Sequence, residues 1–188
     1  MSEFINTADV IGDGAMTDQI IMRTVTEYKE NRISKVGQYA LYGCAALTVV
    51  DIPNVTKIDQ YAFFGCTALP EMNAPNVETI GNYAFSGCKI LTKLSAPKVT
   101  NIGGNAFNNC PVTEFDFSNV NTIGSYAFRY GKFTSVVLPK IEILGYEAFY
   151  DCASLSLVDL PIAVQLNNQC FRATNLTALI LRNAVKVV

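Results

Sequence analysis

The side chains best suited to chemistry in this sequence are cysteines and carboxylates, because the chain contains no histidine. Without imidazole, a Ser-His-Asp triad, a Cys-His dyad and a histidine-based zinc site are all excluded. No G-x-x-x-x-G-K-[ST] phosphate-binding motif is present either. Cysteine remains as a possible metal ligand, redox group or disulfide partner, and paired Asp and Glu residues remain for glycoside hydrolysis.

The cysteines are spaced as members of a repeat rather than as pairs. Five of the six occupy one position of a unit of 21 or 22 residues, and that position is Gly131 in one unit and Ala173 in another. Because Gly and Ala are accepted there, small volume matters more than sulfur, and we predict buried free thiols, as we do for Cys170 at a position usually held by Ala. Disulfides between units and a metal or redox role stay open as alternatives. The periodic cysteines are Cys44, Cys66, Cys88, Cys110 and Cys152.

The repeated unit that carries these cysteines is clearest from Ile80 to Val99, which reads IGNYAFSGCKILTKLSAPKV. Self-similarity at this period is typical of a solenoid, in which each unit buries its apolar face by stacking on its neighbours. The spacing L-x-x-L-x-L predicts a short strand in each unit, and we expect seven such strands to form one parallel sheet. The anchors equivalent to Ile80 are Val36, Ile58, Ile102, Ile123, Leu144 and Leu166.

The rest of the unit predicts how the chain leaves and re-enters the sheet. A proline that follows the strand, such as Pro97, ends the pairing because it has no N–H to donate, and the glycine after the anchor, such as Gly81, marks a bend. The Y-A-F-x-G-C segment is too short for a regular helix, so we expect a helical turn on the convex side. Its phenylalanines are predicted to stack as a spine, and Leu41 takes their place in the first unit. They are Phe63, Phe85, Phe107, Phe128, Phe149 and Phe171.

The period is disturbed at three places. The fourth and fifth units each lack one residue, at Cys110-Pro111-Val112 and at Gly131-Lys132-Phe133, and we expect a change of curvature there. Residues 1–32 are interpreted as an N-terminal cap with an imperfect repeat, in which Ile11 echoes the anchor and 20–28 alternates as a strand does. Residues 33–188 form the repeat array. It is predicted to have no C-terminal cap, so we expect either a longer protein or an end that docks on a partner or self-associates.

Composition excludes several classes of partner. A net charge of −2 lacks the basic excess that holds nucleic acid, and no apolar run reaches the length of a membrane span. The first residues have neither the basic nor the apolar region of a secretory signal, which leaves the compartment open. No motif calls for a cofactor.

Laid out in this way, the chain resembles the BspA-type leucine-rich repeat family, whose units carry I-G-x-x-A-F-x-x-C followed by L-x-x-I-x-I-P. The resemblance covers about 33–188, although the units here are slightly short for the family. It implies a right-handed superhelix with a parallel concave sheet, and non-enzymatic adhesion by bacterial surface or secreted proteins. Related arrays occur in protist surface proteins and phage virions, so the alternative is a receptor-binding or structural component of a phage tail or fibre. The motif residues are Ile80, Gly81, Ala84, Phe85, Cys88, Leu91, Leu94 and Pro97.

The outward positions of the predicted strands are the candidate binding residues, because the repeat does not dictate them. We expect this surface to recognise a protein or a glycan without catalysis; a solvated face and a carboxylate-based glycosidase cleft are the other interpretations. One half is mainly acidic and would suit a basic partner or a cation, although no calcium-binding loop is present; it contains Asp51, Glu71, Glu114 and Asp116. The other half is apolar around one carboxylate, as protein contacts often are; it contains Val137, Leu157, Asp159, Ala178 and Ile180.

Overall fold

The chain folds as a β-solenoid of the leucine-rich-repeat type, in which successive units stack and helix is almost absent from the residues that the structure describes. The computed structural model describes residues 10–11, 24–160, 165–166 and 169–181. Within that part of the chain most units contribute two short strands. The strands are β1 (Val10–Ile11), β2 (Glu27–Lys29), β3 (Lys35–Val36), β4 (Val49–Asp51), β5 (Lys57–Ile58), β6 (Glu71–Asn73), β7 (Thr79–Ile80), β8 (Lys93–Ser95), β9 (Asn101–Ile102), β10 (Glu114–Phe115), β11 (Thr122–Ile123), β12 (Ser135–Val137), β13 (Ile143–Leu144), β14 (Leu157–Leu160), β15 (Gln165–Leu166) and β16 (Ala178–Leu181).

The strands pair in parallel with the equivalent strand of the next unit, in three sheets. The odd-numbered strands form one sheet of eight, which we call the anchor sheet. The even-numbered strands form sheets of five (β2, β4, β6, β8, β10) and three (β12, β14, β16), which we call the leucine-strand sheets. The expectation of one seven-stranded sheet was therefore wrong in two respects: the anchors pair as well, and the leucine strands are interrupted between β10 and β12.

The anchor strands are only two residues long, and this explains why the sequence pattern did not reveal them. In β7, Thr79 points outward and Ile80 is buried, so a single inward residue represents each strand. Periodicity over two residues cannot distinguish a strand from a turn. Stacking on both neighbours supplies the hydrogen bonds that so short a segment could not hold alone.

The glycine that follows most anchors is required by a close backbone approach and not by its φ angle. A Cβ added to Gly81 would lie 2.5 Å from the backbone nitrogen of Gln60 in the preceding unit. At Gly124 the corresponding distance, to the nitrogen of Gly104, is 2.4 Å. A side chain at Gly81 or Gly124 would therefore push two units apart, whereas the second unit carries Asp59 at the equivalent position.

The segment expected to form a helical turn is instead a run of reverse turns that bonds to the next unit. Tyr83 (φ 57°) and Gly87 (φ 76°) adopt left-handed conformations, which interrupt any helix. The N–H groups of Tyr83, Phe85 and Gly87 donate to carbonyl oxygens one unit further on, at 2.8–2.9 Å. The N–H groups between them donate back three residues, for example from Ala84 to Gly81. The segment thus adds a third ladder of hydrogen bonds between units, outside any sheet.

The core consists of stacked copies of the same few side chains. The predicted phenylalanine spine is confirmed, with ring centroids 5.0–5.7 Å apart from Phe63 to Phe171. The prediction of free, buried cysteines is also confirmed. Burial raises the pKa of Cys88 to about 12 and that of Cys44 to about 11, so both stay protonated at neutral pH. The thiol of Cys88 donates to the carbonyl oxygen of Phe63, 3.2 Å away.

The interruption of the leucine-strand sheets lies where two units are one residue short. Phe117 occupies the position of Ala74 and Ala96 in earlier units, and Gly131 stands where those units have cysteine. A Cβ on Gly131 would lie 3.1 Å from a ring carbon of Phe133, so that ring uses the space that cysteine fills elsewhere. We attribute the separation of β10 from β12 to these larger rings and the shorter connection. The expected change of curvature stays a prediction.

The two ends of the array are described only in part. β1 pairs with β3 and places Ile11 opposite Val36. This confirms that Ile11 occupies the anchor position of the repeat. Of the strand predicted over 20–28, residues 20–23 lie outside the described residues, and of the rest only Glu27 and Tyr28 belong to a strand, β2. Val185 and Val188 also lie outside the described residues. In β16, Leu179 and Leu181 are exposed by 45% and 36%, although the equivalent residues of β14 are buried. The assignment of 1–32 as a cap stays a prediction.

Candidate binding surface

The outward side chains of the even-numbered strands form a candidate surface in two parts, one on each leucine-strand sheet, which together we call the strand face. Alternation along each strand sets it up: in β4, Val50 is buried while Val49 and Asp51 are exposed. Parallel pairing in register then aligns each outward residue with its equivalents in neighbouring units. Because the inward residues are fixed by core packing, this face is where the sequence can vary without disturbing the stack.

In the five-stranded part of the strand face, the predicted acidic residues alternate with cations. Asp51 lies opposite Lys29 on one side and Asn73 on the other. Glu71 lies opposite Lys93, whose Nζ is 3.1 Å from Glu114 Oε2. These side chains are well exposed, so such pairs contribute little to stability. The half of the strand face that was predicted to be mainly acidic is therefore a row of side chains of both charges.

Asp116 is not part of that row. β10 ends at Phe115, and the Asp116 carboxylate accepts a hydrogen bond of 2.9 Å from the backbone N–H of Ser118. The strand in this unit ends one residue earlier than expected, but the Asp116 side chain is exposed, and its role in binding stays a prediction. The side chain stabilises the turn that follows the strand.

In the three-stranded part, the structure brings the other predicted residues together. Leu157 pairs with Ala178, and Asp159 lies in register between Val137 and Ile180. Val137 is 49% exposed, whereas Leu157, Ala178 and Ile180 are half-buried. The result is a small apolar surface with one carboxylate at its centre, on a sheet separate from the charged part.

A second surface, not anticipated as a site, runs along the reverse turns and is called the turn face. The Tyr39, Tyr61 and Tyr83 rings stack with centroids 4.9 and 4.8 Å apart, and Tyr42 stacks on Phe64 at 4.9 Å. The tyrosine that precedes Ala-Phe in the repeat is the sequence signal for this ladder. This signal does not by itself predict a surface, because a repeated aromatic residue is more typical of core packing.

Asp59 is the most strongly paired carboxylate on the rim of the anchor sheet. It stands where most units have the glycine after the anchor, and it forms ion pairs with Lys35 and Lys57. Burial raises its pKa, but the hydrogen bonds and positive charges of the two lysines outweigh this and lower the pKa below its usual value. This carboxylate is therefore engaged in holding adjacent units together.

Two broader properties complete the description of these surfaces. Among the residues that the structure describes, no three His, Cys, Asp or Glu side chains are grouped so as to hold a metal ion. In the same part of the chain, no helix has the length and apolar character to cross a bilayer.

Comparison with known proteins identifies the repeat. A family model described as "BspA type Leucine rich repeat region" matches residues 2–112 and 100–188, in six copies. No curated protein matches the chain.

Solved structures that are similar to the chain include the following three, all at low sequence identity. A leucine rich cell surface protein from Faecalibacterium prausnitzii A2-165 is 17% identical over 87% of this chain and 74% of its own length, with a TM-score of 0.43. The T. pallidum Leucine Rich Repeat protein is 21% identical over 95% of this chain, with a TM-score of 0.42. A leucine-rich repeat protein from Bacteroides ovatus ATCC 8483 is 20% identical over 92% of this chain, with a TM-score of 0.43. The chain spans 64% of the length of each of the last two proteins.

Proposed function

The chain belongs to the BspA-type leucine-rich repeat family, and on that premise we propose that it binds a protein or a glycan through its strand face. Proteins of this family and fold are generally binding scaffolds without catalytic activity. In this proposal the apolar part of the strand face is the main contact, and the repeat array of 33–188, preceded by its cap in 1–32, is the scaffold. The role is adhesion or recognition, with no cofactor.

The observation that carries this proposal is the partly exposed apolar cluster of β12, β14 and β16. Val137 stands 49% exposed on a paired strand, where a polar residue would pack equally well. Asp159 lies in register beside it, Ile180 lies one strand further on, and Leu157 lies two residues before Asp159 on the same strand. Water-exposed apolar clusters on a rigid sheet are characteristic of surfaces that become buried in a complex.

The charged part of the strand face supplies a second kind of interaction. Glu71, Lys93 and Glu114 present alternating charge along one row of the five-stranded sheet. Charged rims contribute mainly to the rate of association and to the choice of partner, while the apolar centre contributes most of the affinity. We therefore expect salt to slow association without abolishing binding.

The test begins with a screen of the intact chain against a glycan array and a panel of purified surface and matrix proteins. The first ligand found is then measured by surface plasmon resonance against Leu157→Glu/Ile180→Glu. We expect at least a tenfold loss of affinity, because two charges would be buried in an apolar contact. Circular dichroism should show the same fold, with a lower unfolding temperature, because both side chains are half-buried and Ile180→Glu places a second negative charge opposite Asp159; binding is therefore measured well below that temperature.

Val49→Glu is the matched control, because it introduces the same charge at an exposed apolar position on the other part of the strand face. It is expected to bind as wild type does. Undiminished binding by the double variant would contradict the proposal. An equal loss of affinity in Val49→Glu would mean that the whole strand face contributes to binding. It would contradict the proposal that the apolar cluster is the main contact.

A further inference from the structure

We propose that the turn face carries a second binding site, independent of the strand face, for a carbohydrate that bears an acidic group. The site is a cleft of about 360 Å³ in the later units, next to the tyrosine ladder. Its walls are provided by tyrosine, arginine, asparagine and glutamate, with no aliphatic side chain among them.

The cleft exists because the tyrosine ladder is interrupted. From Tyr39 to Tyr83 each ring rests on the next at 4.8–4.9 Å, so no space remains between units. In the fourth unit the same position is Asn105, and in the sixth unit it is Glu147. Both keep the left-handed backbone of the tyrosines, with φ of 55° and 48°, so only the side chain has changed. The shorter side chains leave an opening beside Tyr126, whose ring also packs edge-on against Tyr146 at 5.5 Å.

Arg129 provides a fixed positive charge in this opening. Its guanidinium carbon lies 4.7 Å from the centroid of the Tyr130 ring and 4.9 Å from that of Tyr150. Its Nη2 donates to the Tyr130 hydroxyl at 2.8 Å, and its Nε is buried without a hydrogen-bond partner. Within the described part of the chain no carboxylate forms an ion pair with Arg129. The aromatic contacts thus hold a guanidinium in place without neutralising it.

The second arginine of the cleft is already neutralised. Arg172 Nη1 lies 3.1 Å from the Glu147 carboxylate and 3.3 Å from Gln169 Oε1. Because Glu147 is buried and paired in this way, it balances Arg172 and leaves Arg129 uncompensated. The net charge of these three side chains is therefore positive, in a chain whose overall charge is negative.

This combination specifies the chemistry of the ligand. A planar guanidinium binds a carboxylate or sulfate with two parallel hydrogen bonds. Tyrosine rings pack against the C–H faces of a sugar, and the Asn105 amide and tyrosine hydroxyls can bond to its hydroxyl groups. An apolar peptide would find no aliphatic pocket in this cleft. Since the cleft is open to solvent, we expect dissociation constants in the high micromolar to millimolar range for a single sugar.

The test uses methyl β-D-glucuronide as the acidic probe and methyl β-D-glucoside as its neutral match, which differ only at C6. Saturation-transfer NMR and chemical-shift titration of the intact chain are expected to show binding of the glucuronide, with shifts centred on Arg129 and Tyr126. The glucoside should bind at least tenfold more weakly. Equal binding of the two sugars, or no binding of the glucuronide at 10 mM, would overturn the proposal.

Two variants and a control locate the site. Arg129→Gln is expected to lose at least tenfold in affinity for the glucuronide, whereas Arg32→Gln, the same change at an exposed distant arginine, should have no effect. Asn105→Tyr should close the cleft and abolish binding without loss of fold, because four other units hold tyrosine at this position with the same φ. Wild-type affinity in both Arg129→Gln and Asn105→Tyr would overturn the assignment.

Discussion

The first units of the solenoid, 24–103, and the later units, 104–181, have the same core but different surfaces. Phe63 and Phe85 stack at 5.1 Å in the first part, and Phe128 and Phe149 stack at 5.3 Å in the second. The surfaces of the two parts diverge: the four leucine strands of the first part pair without a break and continue into β10 of the second, where the sheet ends and restarts at β12. Stacking demands that the core be repeated, whereas the surface is free to change.

The irregularities of the later units cluster, and this is informative about function. The shortened connections, the broken sheet and two of the three gaps in the tyrosine ladder lie between Asn105 and Glu147; the third gap is Gln169. Both proposed sites lie in or beside this region. In a regular array every unit offers the same shallow surface, so a specific cleft or apolar cluster arises only where the repeat is violated.

The first prediction tests whether the core is equivalent in the two parts. Phe85→Ala and Phe128→Ala are each expected to lower the free energy of unfolding by about 3–5 kcal/mol, because each leaves a cavity in the spine. Urea-induced unfolding followed by circular dichroism measures this. A larger loss of stability in Phe128→Ala than in Phe85→Ala would be due to the rings of Phe115, Phe117 and Phe133. Each of them packs edge-on against Phe128, with ring centroids 5.4–5.8 Å away.

Phe64→Ala is the control for this pair, because its ring is half-buried on the turn face. It should cost about 1 kcal/mol. If either spine variant cost no more than this control, the spine would not be a single continuous core, and the comparison between the two parts would fail.

The second prediction concerns the close approach of neighbouring units at the glycine that follows the anchor. Gly81→Ala in the first part and Gly124→Ala in the second should each cost about 1–3 kcal/mol, because the added Cβ meets backbone that cannot move aside freely. The same unfolding measurement applies. Gly65→Asn is the control: it has φ of 70° and open space, and Asn109 holds the equivalent position. A cost at Gly65 equal to that at Gly81 would contradict the assignment of the effect to close approach.

The core was predictable from the sequence because each of its positions is represented several times. Phe85 or Cys88 alone would be ambiguous, but their recurrence at a fixed spacing fixes both burial and stacking. The apolar part of the strand face was predictable for the same reason, since Leu157 and Ile180 occupy outward positions of strands whose inward positions were known. Repetition carried the inference in each case.

What escaped prediction depended on geometry that no single unit encodes. The anchor sheet requires only one inward residue per strand, such as Ile80, so no alternation marks it. The reverse turns depend on left-handed residues such as Tyr83, a conformation that tyrosine rarely adopts and that the sequence does not signal. The cleft beside Arg129 exists because Asn105 is smaller than the tyrosine that four other units hold at this position. The sequence alone does not show that these tyrosines stack, so it does not indicate that a smaller residue opens a cleft.

The third prediction concerns the break between β10 and β12, where the expected effect is smallest and most local. Ser135 and Val137 correspond to Lys93 and Ser95 in the repeat, but only the latter pair lies on a strand that is bonded to the preceding unit. Native-state hydrogen exchange of the Ser135 and Val137 amides should therefore be at least tenfold faster than that of the Lys93 and Ser95 amides. This ratio corresponds to about 1.4 kcal/mol of local opening free energy.

Leu157 and Asp159 provide the internal reference, because they occupy the same positions one unit later and pair with β12. Slow exchange at Leu157 and Asp159 together with fast exchange at Ser135 and Val137 would assign the effect to the break itself. Equally fast exchange at all four would instead mean that the later units are loosely held throughout. The two parts of the molecule would then differ in local stability, and the later units would lack the rigid sheet that the proposed apolar contact requires.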